Sequence, residues 1–381
     1  MSQVPPNGIA MSAPDITEDD VTRVVEVLRS GQLSIGPTIE AFEEAARNYV
    51  GTKYAVAVSS GTAALHLCMR MAKVEQGVEV ITSPYSFVAS SNCILYEGGT
   101  PVFVDIDEGT FNIDPAAVED ALTERTRALL PIHVFGRPAQ MDRLCEIADR
   151  RGLALVEDAC EAIGAEFDGR KVGTFGRASV FAFYPNKQIT TGEGAIITTD
   201  DQEWYRELCS QRNHGRRGGG WLDHHQLGFN YRLNAMSAAL GASQFSRIES
   251  LLARRAAVAA DYTDQLAHVG GVTTLLPSTA TSMSWFVYIV RLDPHLSRDN
   301  VAERLAAQGI PTRNYFPPIH LQPFYAERFG YRRGQFPITE RVAASTLALP
   351  FHGNMGTEAV TQVCRALAAA IDAEAAPRKS A

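Results

Sequence analysis

Seven short apolar runs, rich in Val, Ile, Leu and Ala, recur between residues 54 and 199, with helix-like stretches between them. Short runs of this kind are typical of strands that are buried on both faces of a sheet. The runs are Tyr54–Val58, Val78–Thr82, Pro101–Asp105, Ala128–Val134, Leu153–Glu157, Ala178–Phe183 and Ala195–Thr199. Because strands that alternate with helices form βαβ units, the pattern predicts an α/β fold, in which a mainly parallel seven-stranded sheet lies between helices.

Helical patterns surround the sheet region and continue after it. Helices are predicted at Thr17–Ser30, Thr38–Val50, Thr62–Ala72, Pro115–Leu122, Met141–Arg151, Asn234–Ala267, Arg298–Gln308 and Glu358–Asp372, and further strands at Trp285–Leu292 and Thr312–Tyr315. The long helical pattern near residue 250 is interpreted as the link between two domains. We therefore predict a large domain over residues 1–250, including the N-terminal helices, and a smaller C-terminal α+β domain over residues 251–381, with a disordered tail from about residue 374.

Composition narrows the class of protein. The chain has 381 residues and a formal net charge of −8, whereas nucleic-acid binders normally carry a basic face, so no nucleic-acid partner is expected. The N-terminal residues lack the basic and apolar regions of a secretory signal, and no apolar run is long enough to span a membrane, so a cytoplasmic protein without a membrane partner is expected. The six cysteines are widely spaced, and no metal site or redox pair is predicted.

The ends of the predicted strands carry the candidate functional residues, because ligands of open α/β sheets bind at the carboxyl ends of strands. Ser59, Ser60, Gly61 and Thr62 follow the first strand and open a helix. Small residues at a helix N-terminus let unpaired N–H groups approach an anion, which makes this turn a candidate phosphate site. A plain strand–helix turn with a serine cap is the alternative.

Two charged residues follow later strands. Asp158 ends the run Leu153–Glu157, where its carboxylate could pair with a protonated ring nitrogen, although a helix-capping aspartate fits as well. Lys187 follows the run that ends at Phe183, and a lysine at the mouth of a sheet is a candidate for Schiff-base formation, although solvated lysines are common. A phosphate site, an aspartate and a lysine in this order on one sheet form the layout of fold-type-I pyridoxal phosphate enzymes.

Longer segments resemble one family within that fold type, the DegT/DnrJ/EryC1/StrS sugar aminotransferases, and among them the perosamine-synthase-like members. The similarity extends from about Ile35 to about Ile371. The segments that carry it are Ser59–Leu67, Tyr85–Ser90, Val102–Asp107, Val156–Ala159, Phe183–Lys187, Gly192–Gly194, Gly228–Leu233 and Tyr315–Leu321.

The resemblance implies pyridoxal 5′-phosphate as the cofactor, with pyridoxamine 5′-phosphate as its intermediate form. It makes Lys187 the lysine that bonds to the cofactor and moves the proton, and Asp158 the partner of the pyridine nitrogen. The implied cofactor-binding residues are Ser60, Gly61, Thr62, Phe87, Asp158, Glu161, Ala182, Lys187 and Asn230. Phe87 would stack on the ring, and Asn230 would reach the phosphate of a partner subunit, which implies a homodimer with shared active sites. The candidate substrate contacts are Tyr184, Arg232, Tyr315 and His320.

Two positions depart from the pattern of many relatives. Ala182 stands where a serine commonly contacts the phosphate, so one hydroxyl is missing. Glu161 stands where glutamine or histidine commonly lies near the phenolic oxygen of the cofactor. Because an ionised carboxylate would repel a phenolate, Glu161 either keeps a proton, with a raised pKa, or points elsewhere.

The implied reaction transfers an amino group from L-glutamate to a nucleotide-linked keto-sugar of the 4-keto-6-deoxy type, to make a nucleotide amino sugar for glycan or glycosylated-metabolite biosynthesis. Two alternatives stay open. The first is a pyridoxal-phosphate-dependent sugar dehydratase, which Lys187 disfavours because many such enzymes carry histidine there. The second is a cofactor-binding regulator without turnover, which the presence of both Lys187 and Asp158 disfavours.

Overall fold

The computed structural model describes residues 8–218 and 222–375, and these residues form the predicted α/β architecture. The helices are α1 (Glu18–Ser30), α2 (Pro37–Val50), α3 (Gly61–Met71), α4 (Ala89–Tyr96), α5 (Pro115–Asp120), α6 (Met141–Arg151), α7 (Gln202–Gln211), α8 (Ala235–Ser246), α9 (Ile248–Leu266), α10 (Arg298–Ala307), α11 (Pro323–Phe329), α12 (Pro337–Ser345) and α13 (Thr357–Ala375). The strands are β1 (Tyr54–Val58), β2 (Glu79–Thr82), β3 (Thr100–Phe103), β4 (Thr126–Leu130), β5 (Ala154–Asp158), β6 (Glu166–Phe167), β7 (Arg170–Lys171), β8 (Ala178–Ala182), β9 (Ala195–Thr199), β10 (Val272–Thr274), β11 (Thr281–Ser282), β12 (Tyr288–Leu292) and β13 (Thr346–Leu349). Single turns of 3-10 helix cover Val134–Gly136 and Ile319–Leu321.

The main sheet has seven strands in the order β1-β9-β8-β5-β4-β2-β3. Strand β9 is antiparallel to both of its neighbours, and the other neighbouring pairs are parallel. All seven strands lie where the apolar runs predicted them, within a few residues at each end. The carboxyl ends of β1, β5 and β8 therefore lie at one edge of the sheet, which is the edge where a ligand site is expected.

Burial on both faces explains why these strands are almost uniformly apolar. Val56, Val156, Val180 and Ile197 are all fully buried in one cluster that α3 covers from one side. A second cluster, which contains Phe42 of α2 and Phe183, packs on the opposite face. Because helices cover both faces of these strands, side chains that point to either face are buried. The strands are therefore apolar throughout and do not alternate between polar and apolar residues.

The later part of the chain builds a separate sheet of three antiparallel strands, β10-β12-β13. Its core joins α9, α10 and α13 through buried side chains such as Tyr262, Leu305 and Leu367. The predicted helix Asn234–Ala267 is two helices, α8 and α9, which meet at Arg247. The division into domains near residue 250 stays a prediction.

The strand predicted at Thr312–Tyr315 does not form. Arg313 makes only an isolated bridge with Ala348. Prolines at positions 311, 317 and 318 flank this segment, and because proline lacks an N–H group it limits a hydrogen-bonded ladder. The segment is therefore an irregular connection, and two of its aromatic residues lie at the site described below.

The two ends of the described chain are fixed by side-chain contacts. Thr17 and Asp20 form a capping box at the start of α1. At the other end, α13 continues to Ala375, and Glu374 accepts a hydrogen bond of 2.8 Å from Asn300. The disordered tail predicted from about residue 374 stays a prediction, because residues 376–381 lie outside the described residues. In the described ranges, no helix combines the length and apolar character needed to cross a bilayer.

Candidate active site

A cavity of about 440 Å³ opens at the carboxyl edge of the main sheet, beside the ends of β1, β5 and β8. Most of the residues that the sequence nominated line it. These are Ser60, Gly61, Thr62, Phe87, Asp158, Glu161, Ala182, Tyr184, Lys187 and Tyr315. Residues far apart in the chain therefore meet because parallel strands bring their ends to one edge.

The N-terminus of α3 forms one end of the cavity. Ser60 caps the helix by accepting a hydrogen bond of 3.1 Å from the N–H of Ala63. The N–H groups of Gly61 and Thr62, in the first turn, have no partner within the helix and point out of its end. A Cβ atom on Gly61 would lie 3.0 Å from the Cβ of Ala182, so glycine is needed for this close approach. The turn can hold an anion through backbone N–H groups and the helix dipole.

Asp158 ends β5 and is 4% exposed. Its Oδ2 accepts a hydrogen bond of 2.7 Å from the hydroxyl of Ser90, and that hydroxyl lies 2.9 Å from the Oγ of Ser86. Its Oδ1 accepts a longer bond of 3.2 Å from the N–H of Cys160. These neutral donors fix the direction of the carboxylate and stabilise its charge, while none of them is a cation. The carboxylate therefore remains available to pair with a cationic ring nitrogen.

Lys187 lines the same cavity as Asp158. Its Nζ is 3.5 Å from Oε1 of Glu161 and 3.9 Å from the centre of the Phe286 ring. Its side chain is only 13% exposed. A carboxylate and an aromatic face on two sides hold the ammonium group at the mouth of the sheet. Lys187 is therefore not a solvated surface lysine.

Glu161 lines the cavity, and its carboxyl group faces the ammonium group of Lys187. Its Oε2 accepts a hydrogen bond of 2.9 Å from the N–H of Phe135. Burial raises the pKa of the Glu161 carboxyl above its ordinary value, although Lys187 and the Phe135 N–H favour the ionised form. Desolvation therefore raises the pKa of Glu161 in the protein itself, without any contribution from a cofactor.

An unusual turn supplies that N–H group. Phe135 has φ of 58°, in the left-handed region, and Gly136 follows with φ of 84°. A Cβ atom on Gly136 would lie 1.7 Å from the carbonyl oxygen of Ser284, so only glycine fits. Left-handed backbone at a non-glycine residue costs energy and persists where the surroundings fix it. Here the turn directs a donor at Glu161.

The predicted cofactor and substrate residues differ in exposure. Phe87 is 62% exposed and Tyr184 is 43% exposed, so both present aromatic surface to the cavity. Burial raises the pKa of Tyr315 above its ordinary value. The thiol of Cys160 also lines the cavity, and burial raises its pKa well above the usual range, so it stays protonated beside Lys187.

Three predicted residues do not line this cavity. Asn230 is exposed on a separate segment, where it forms a bridge with Asn213. Arg232 donates a hydrogen bond of 2.8 Å to the side chain of Asn213. His320 is fully buried and lies 3.1 Å from Oε1 of Glu340, which favours a structural hydrogen bond over the predicted substrate contact.

Several lining residues were not singled out from the sequence. They are Ser86, Ser90, Cys160, Asn186, Glu193 and Phe286. Ser86 and Ser90 lie in the segment Tyr85–Ser90 that carries the family resemblance, so that signal was present. Phe286 gave no such signal, because it comes from the later part of the chain and only the fold brings it to Lys187.

The cavity fits pyridoxal phosphate on the chemistry of its lining. The N-terminus of α3 suits the phosphate, and the amine of Lys187 suits the aldehyde. The carboxylate of Asp158, whose hydrogen-bond donors are neutral, suits the pyridine nitrogen. Phe87, an exposed aromatic side chain at the opening, offers a face for stacking. A mainly parallel sheet with this set at its strand ends defines the fold-type-I class of pyridoxal phosphate enzymes.

Comparisons of the sequence and the structure with known proteins give the same class of enzyme. The chain belongs to the DegT/DnrJ/EryC1/StrS aminotransferase family, whose model matches residues 14–368. It is 37% identical over 372 residues to GDP-perosamine synthase of Caulobacter vibrioides, across 96% of this chain and 99% of that protein. It superimposes on Helicobacter pylori PseC, an aminotransferase involved in the biosynthesis of pseudoaminic acid, with a TM-score of 0.92 at 30% identity, across 96% of this chain and 100% of PseC.

A further structural neighbour bears on the cofactor. Spr1654 of Streptococcus pneumoniae superimposes with a TM-score of 0.92 at 28% identity, across 96% of this chain and 99% of that one, in a PLP form. It has also been solved in a PMP form. The protein is therefore an aminotransferase of a family in which structural relatives carry both forms of this cofactor.

Proposed function

We propose that this protein is a pyridoxal-phosphate-dependent aminotransferase that moves the amino group of L-glutamate to a nucleotide-linked keto-sugar of the 4-keto-6-deoxy type. One observation carries the proposal: Asp158, Lys187 and the N-terminus of α3 meet in a single cavity. The similarity to GDP-perosamine synthase and to PseC supports the sugar as acceptor. The product would be a nucleotide amino sugar.

Bound pyridoxal phosphate would supply an electron sink for the carbanion that forms when an amino acid loses its α-proton. Asp158 would keep a proton on the pyridine nitrogen, because its buried carboxylate has only neutral donors and favours a cation beside it. The first turn of α3 would hold the phosphate, and Phe87 would cover the ring. These residues would bind and orient the group without taking part in bond breaking.

Lys187 moves the proton. Its Nζ removes the α-proton of the amino donor in the first half of the reaction and delivers a proton to the sugar carbon in the second half. The ring of Phe286 at 3.9 Å and the carboxyl group of Glu161 at 3.5 Å hold the amine in position between those steps. Glu161, whose pKa is raised by burial, would hold a proton beside the phenolic oxygen of the bound cofactor.

The remaining predicted residues, which bind either substrate or cofactor, fall into two groups by position. Tyr184 and Tyr315 line the cavity and can contact the sugar directly. Asn230 and Arg232 lie on a separate segment, and we propose that Asn230 completes the phosphate site of a partner subunit in a homodimer. Its exposed position suits that role.

The reaction can be followed with isotope. The protein would be incubated with pyridoxal phosphate, ¹⁵N-labelled L-glutamate and a panel of nucleotide-linked keto-sugars. The masses of the products would then be measured by mass spectrometry. We expect ¹⁵N in an amino sugar and an equal amount of 2-oxoglutarate. Loss of water from the sugar without gain of nitrogen would indicate the dehydratase. Cofactor binding without any nitrogen transfer would indicate the regulator.

A further inference from the structure

A network of four polar side chains lies beside α3, outside the active-site cavity. We call it the His66 network, and its members are His66, Tyr231, Glu97 and Arg70. His66 is 6% exposed, its Nδ1 lies 3.0 Å from the hydroxyl of Tyr231, and its Nε2 lies 2.6 Å from Oε1 of Glu97. Arg70 donates to both carboxylate oxygens of Glu97, at 3.2 and 3.1 Å. None of the four residues lines the active-site cavity, and the proposed reaction gives them no part.

The hydrogen bonds of the His66 network have a fixed direction. A carboxylate can only accept, so Nε2 of His66 donates to Glu97, and Nδ1 of the neutral ring accepts from the hydroxyl of Tyr231. Burial raises the pKa of Tyr231 above its ordinary value, so the hydroxyl keeps its proton and remains a donor. The outer end of the Tyr231 ring is therefore tied to α3.

The His66 network costs desolvation energy that apolar side chains would avoid. Glu97 and Arg70 are largely buried, and aromatic rings adjoin His66, with Phe229 at 4.9 Å and Tyr96 at 5.3 Å between ring centres. Buried ion pairs often add no stability over apolar residues of similar size, and their best-attested use is to hold an element in one register. Here the element that is held is the segment that carries Tyr231.

Isolated bridges hold that segment to its neighbours. They recur at every second residue from 230 to 234, as in extended backbone, where successive side chains point to opposite faces. Phe229 and Tyr231 stack at 4.8 Å on the face toward α3, so Asn230 points away from α3, and it is exposed. A slip of one residue would reverse the two faces. The bond from Tyr231 to His66 therefore decides which side chain is presented outward.

The backbone of Tyr231 also contacts the candidate phosphate turn. Its carbonyl oxygen accepts a hydrogen bond of 2.9 Å from the N–H of Ser59, the first residue of the turn that opens α3. Ser60, the next residue, caps the helix. Tyr231 is thus joined to the turn by its backbone and to α3 by its hydroxyl, so the position of Asn230 is set relative to the phosphate turn of its own subunit.

We propose that His66 is a positioning residue for cofactor binding: through Tyr231 it holds Asn230 where that side chain completes the phosphate site of the partner subunit. The inference rests on the proposed function, because it takes Asn230 to act across a homodimer interface. His66 itself does not touch the cofactor. An effect confined to the subunit that carries the network is the alternative, and hybrid dimers separate the two.

The first experiment measures cofactor affinity. Protein stripped of cofactor would be titrated with pyridoxal phosphate and reduced with borohydride, and the labelled fraction of Lys187 would be measured by mass spectrometry. Tyr231→Phe removes one hydroxyl and keeps the ring, and we expect the half-saturating concentration to rise roughly three- to tenfold. Tyr96→Phe is the matched control, because within the described ranges the Tyr96 hydroxyl makes no hydrogen bond, although its ring adjoins His66. It should stay within about twofold of the wild type.

Two replacements of His66 separate the two ends of its ring. The amide of asparagine can take the place of Nδ1 and keep the contact with Tyr231, whereas the amide of glutamine takes the place of Nε2 beside Glu97. We therefore expect His66→Asn to bind the cofactor several-fold more tightly than His66→Gln. Thermal unfolding of the cofactor-free proteins shows whether either variant loses its fold. Equal cofactor affinities in two folded variants would contradict the role of the Tyr231 contact.

Hybrid dimers test whether the effect crosses the subunit interface. In the first hybrid, a Tyr231→Phe chain pairs with a Lys187→Ala chain, so only the first chain can be labelled and the intact Asn230 of the second completes its site. In the second hybrid, one chain carries both changes and its partner is wild type, so the labelled site depends on the altered segment.

The two hybrids should differ in cofactor affinity. We expect wild-type affinity in the first hybrid and, in the second, the same three- to tenfold loss as in the Tyr231→Phe homodimer. The opposite order would place the effect within one subunit and overturn the inference. Equal affinities in the two hybrids would overturn it as well.

Asn230→Ala distinguishes failure of the inference from failure of the proposed function. If Asn230→Ala leaves cofactor affinity unchanged, the shared phosphate site of the proposed homodimer and the role of His66 both fail. If Asn230→Ala weakens cofactor binding while the two hybrids bind alike, only the inference fails. Transfer of ¹⁵N to a keto-sugar at saturating cofactor tests the proposed reaction separately, because Tyr231→Phe leaves Asp158 and Lys187 in place.

Discussion

The two walls of the active-site cavity differ in origin and in character. One wall is the carboxyl edge of the main sheet, where Asp158 ends β5 and Lys187 lies in the loop after β8. The other wall comes from residues 284–316 and presents Phe286, Tyr315 and Phe316. The sheet wall carries charge and is fixed by a ladder of backbone hydrogen bonds, whereas the aromatic wall carries apolar surface on irregular backbone. The charged groups therefore lie on the first wall, and the second wall encloses them with apolar surface.

Polar side chains hold the backbone of the aromatic wall in place. The side-chain nitrogen of Gln188 donates to the carbonyl groups of Glu161, at 2.6 Å, and Ser284, at 2.9 Å. Arg255, which is 4% exposed, donates to the carbonyl groups of Trp285 and Phe286 at 2.7 Å each. Both residues donate to backbone carbonyl groups, so the backbone that carries the aromatic rings is held by polar side chains.

Removing the charge at Asp158 should have the largest effect on catalysis. Asp158→Asn keeps the shape and can still accept from Ser90, but it no longer stabilises a protonated ring nitrogen. We expect kcat to fall by roughly 10²–10⁴-fold, with the free energy of unfolding nearly unchanged. Steady-state kinetics and urea unfolding measure the two quantities. Ser90→Ala, which removes one donor only, should lose far less, and equal losses in both variants would contradict the role of the charge.

A change at Arg255 should act on the aromatic wall instead. Burial lowers the pKa of this guanidinium group to about 10, and it has only carbonyl and ring partners in the described ranges. Arg255→Met leaves two carbonyl groups without donors, so we expect a loss of about 2 kcal/mol in unfolding free energy and a raised KM. Arg254→Met, at a half-exposed ion pair with Asp15, is the control and should lose at most about 1 kcal/mol. A wild-type KM in the Arg255→Met variant would contradict the role of Arg255 in positioning the aromatic wall.

Glu161 lies on the sheet wall and should make cofactor binding depend on pH. Because burial raises its pKa, the folded protein holds a proton that the unfolded chain releases. Its contribution to stability is therefore present below the ordinary pKa of glutamate and is lost as pH rises through the raised value. In the protein without cofactor, Glu161→Gln should remove this part of the pH dependence of unfolding. Above the raised pKa, the variant should also bind pyridoxal phosphate several-fold more tightly than the wild type.

Glu193→Gln supplies the control for that experiment, since Glu193 also lines the cavity but is exposed. In the Glu193→Gln variant, the pH dependence of unfolding and of cofactor binding should match that of the wild type. If Glu161→Gln and the wild type show the same pH profile for both unfolding and cofactor binding, Glu161 does not carry the proton.

His320 should give the smallest effect, and only on stability. Burial lowers its pKa despite the neighbouring Glu340, so the folded protein keeps the imidazole neutral while the unfolded chain takes up a proton. Stability from this group is present above the ordinary pKa of histidine and is lost as pH falls toward the lowered value. His320→Gln should weaken the dependence of the thermal unfolding temperature on pH over that range. It should leave KM for the sugar within about twofold. A large rise in KM would restore the predicted substrate contact.

The same contrast explains how much could be predicted from the sequence. The seven strands, Asp158 and Lys187 were all found, because a buried parallel strand has a strong apolar pattern and its end lies next in the chain. The aromatic wall was found only in part. Tyr315 came from a resemblance, the strand predicted around it was wrong, and Phe286 was missed, since long-range packing leaves no local pattern. His320 was assigned by the same resemblance, and its burial against Glu340 became visible only in the fold.

The central claim is that Lys187 bonds to pyridoxal phosphate and is released by glutamate. Borohydride reduction of the cofactor-loaded protein, followed by peptide mass spectrometry, measures this directly. The account predicts a pyridoxyl adduct on Lys187 alone, its loss when glutamate is added before reduction, and no adduct at this position in Lys187→Ala. An adduct on another lysine, or an adduct on Lys187 that persists with every amino donor, would contradict it.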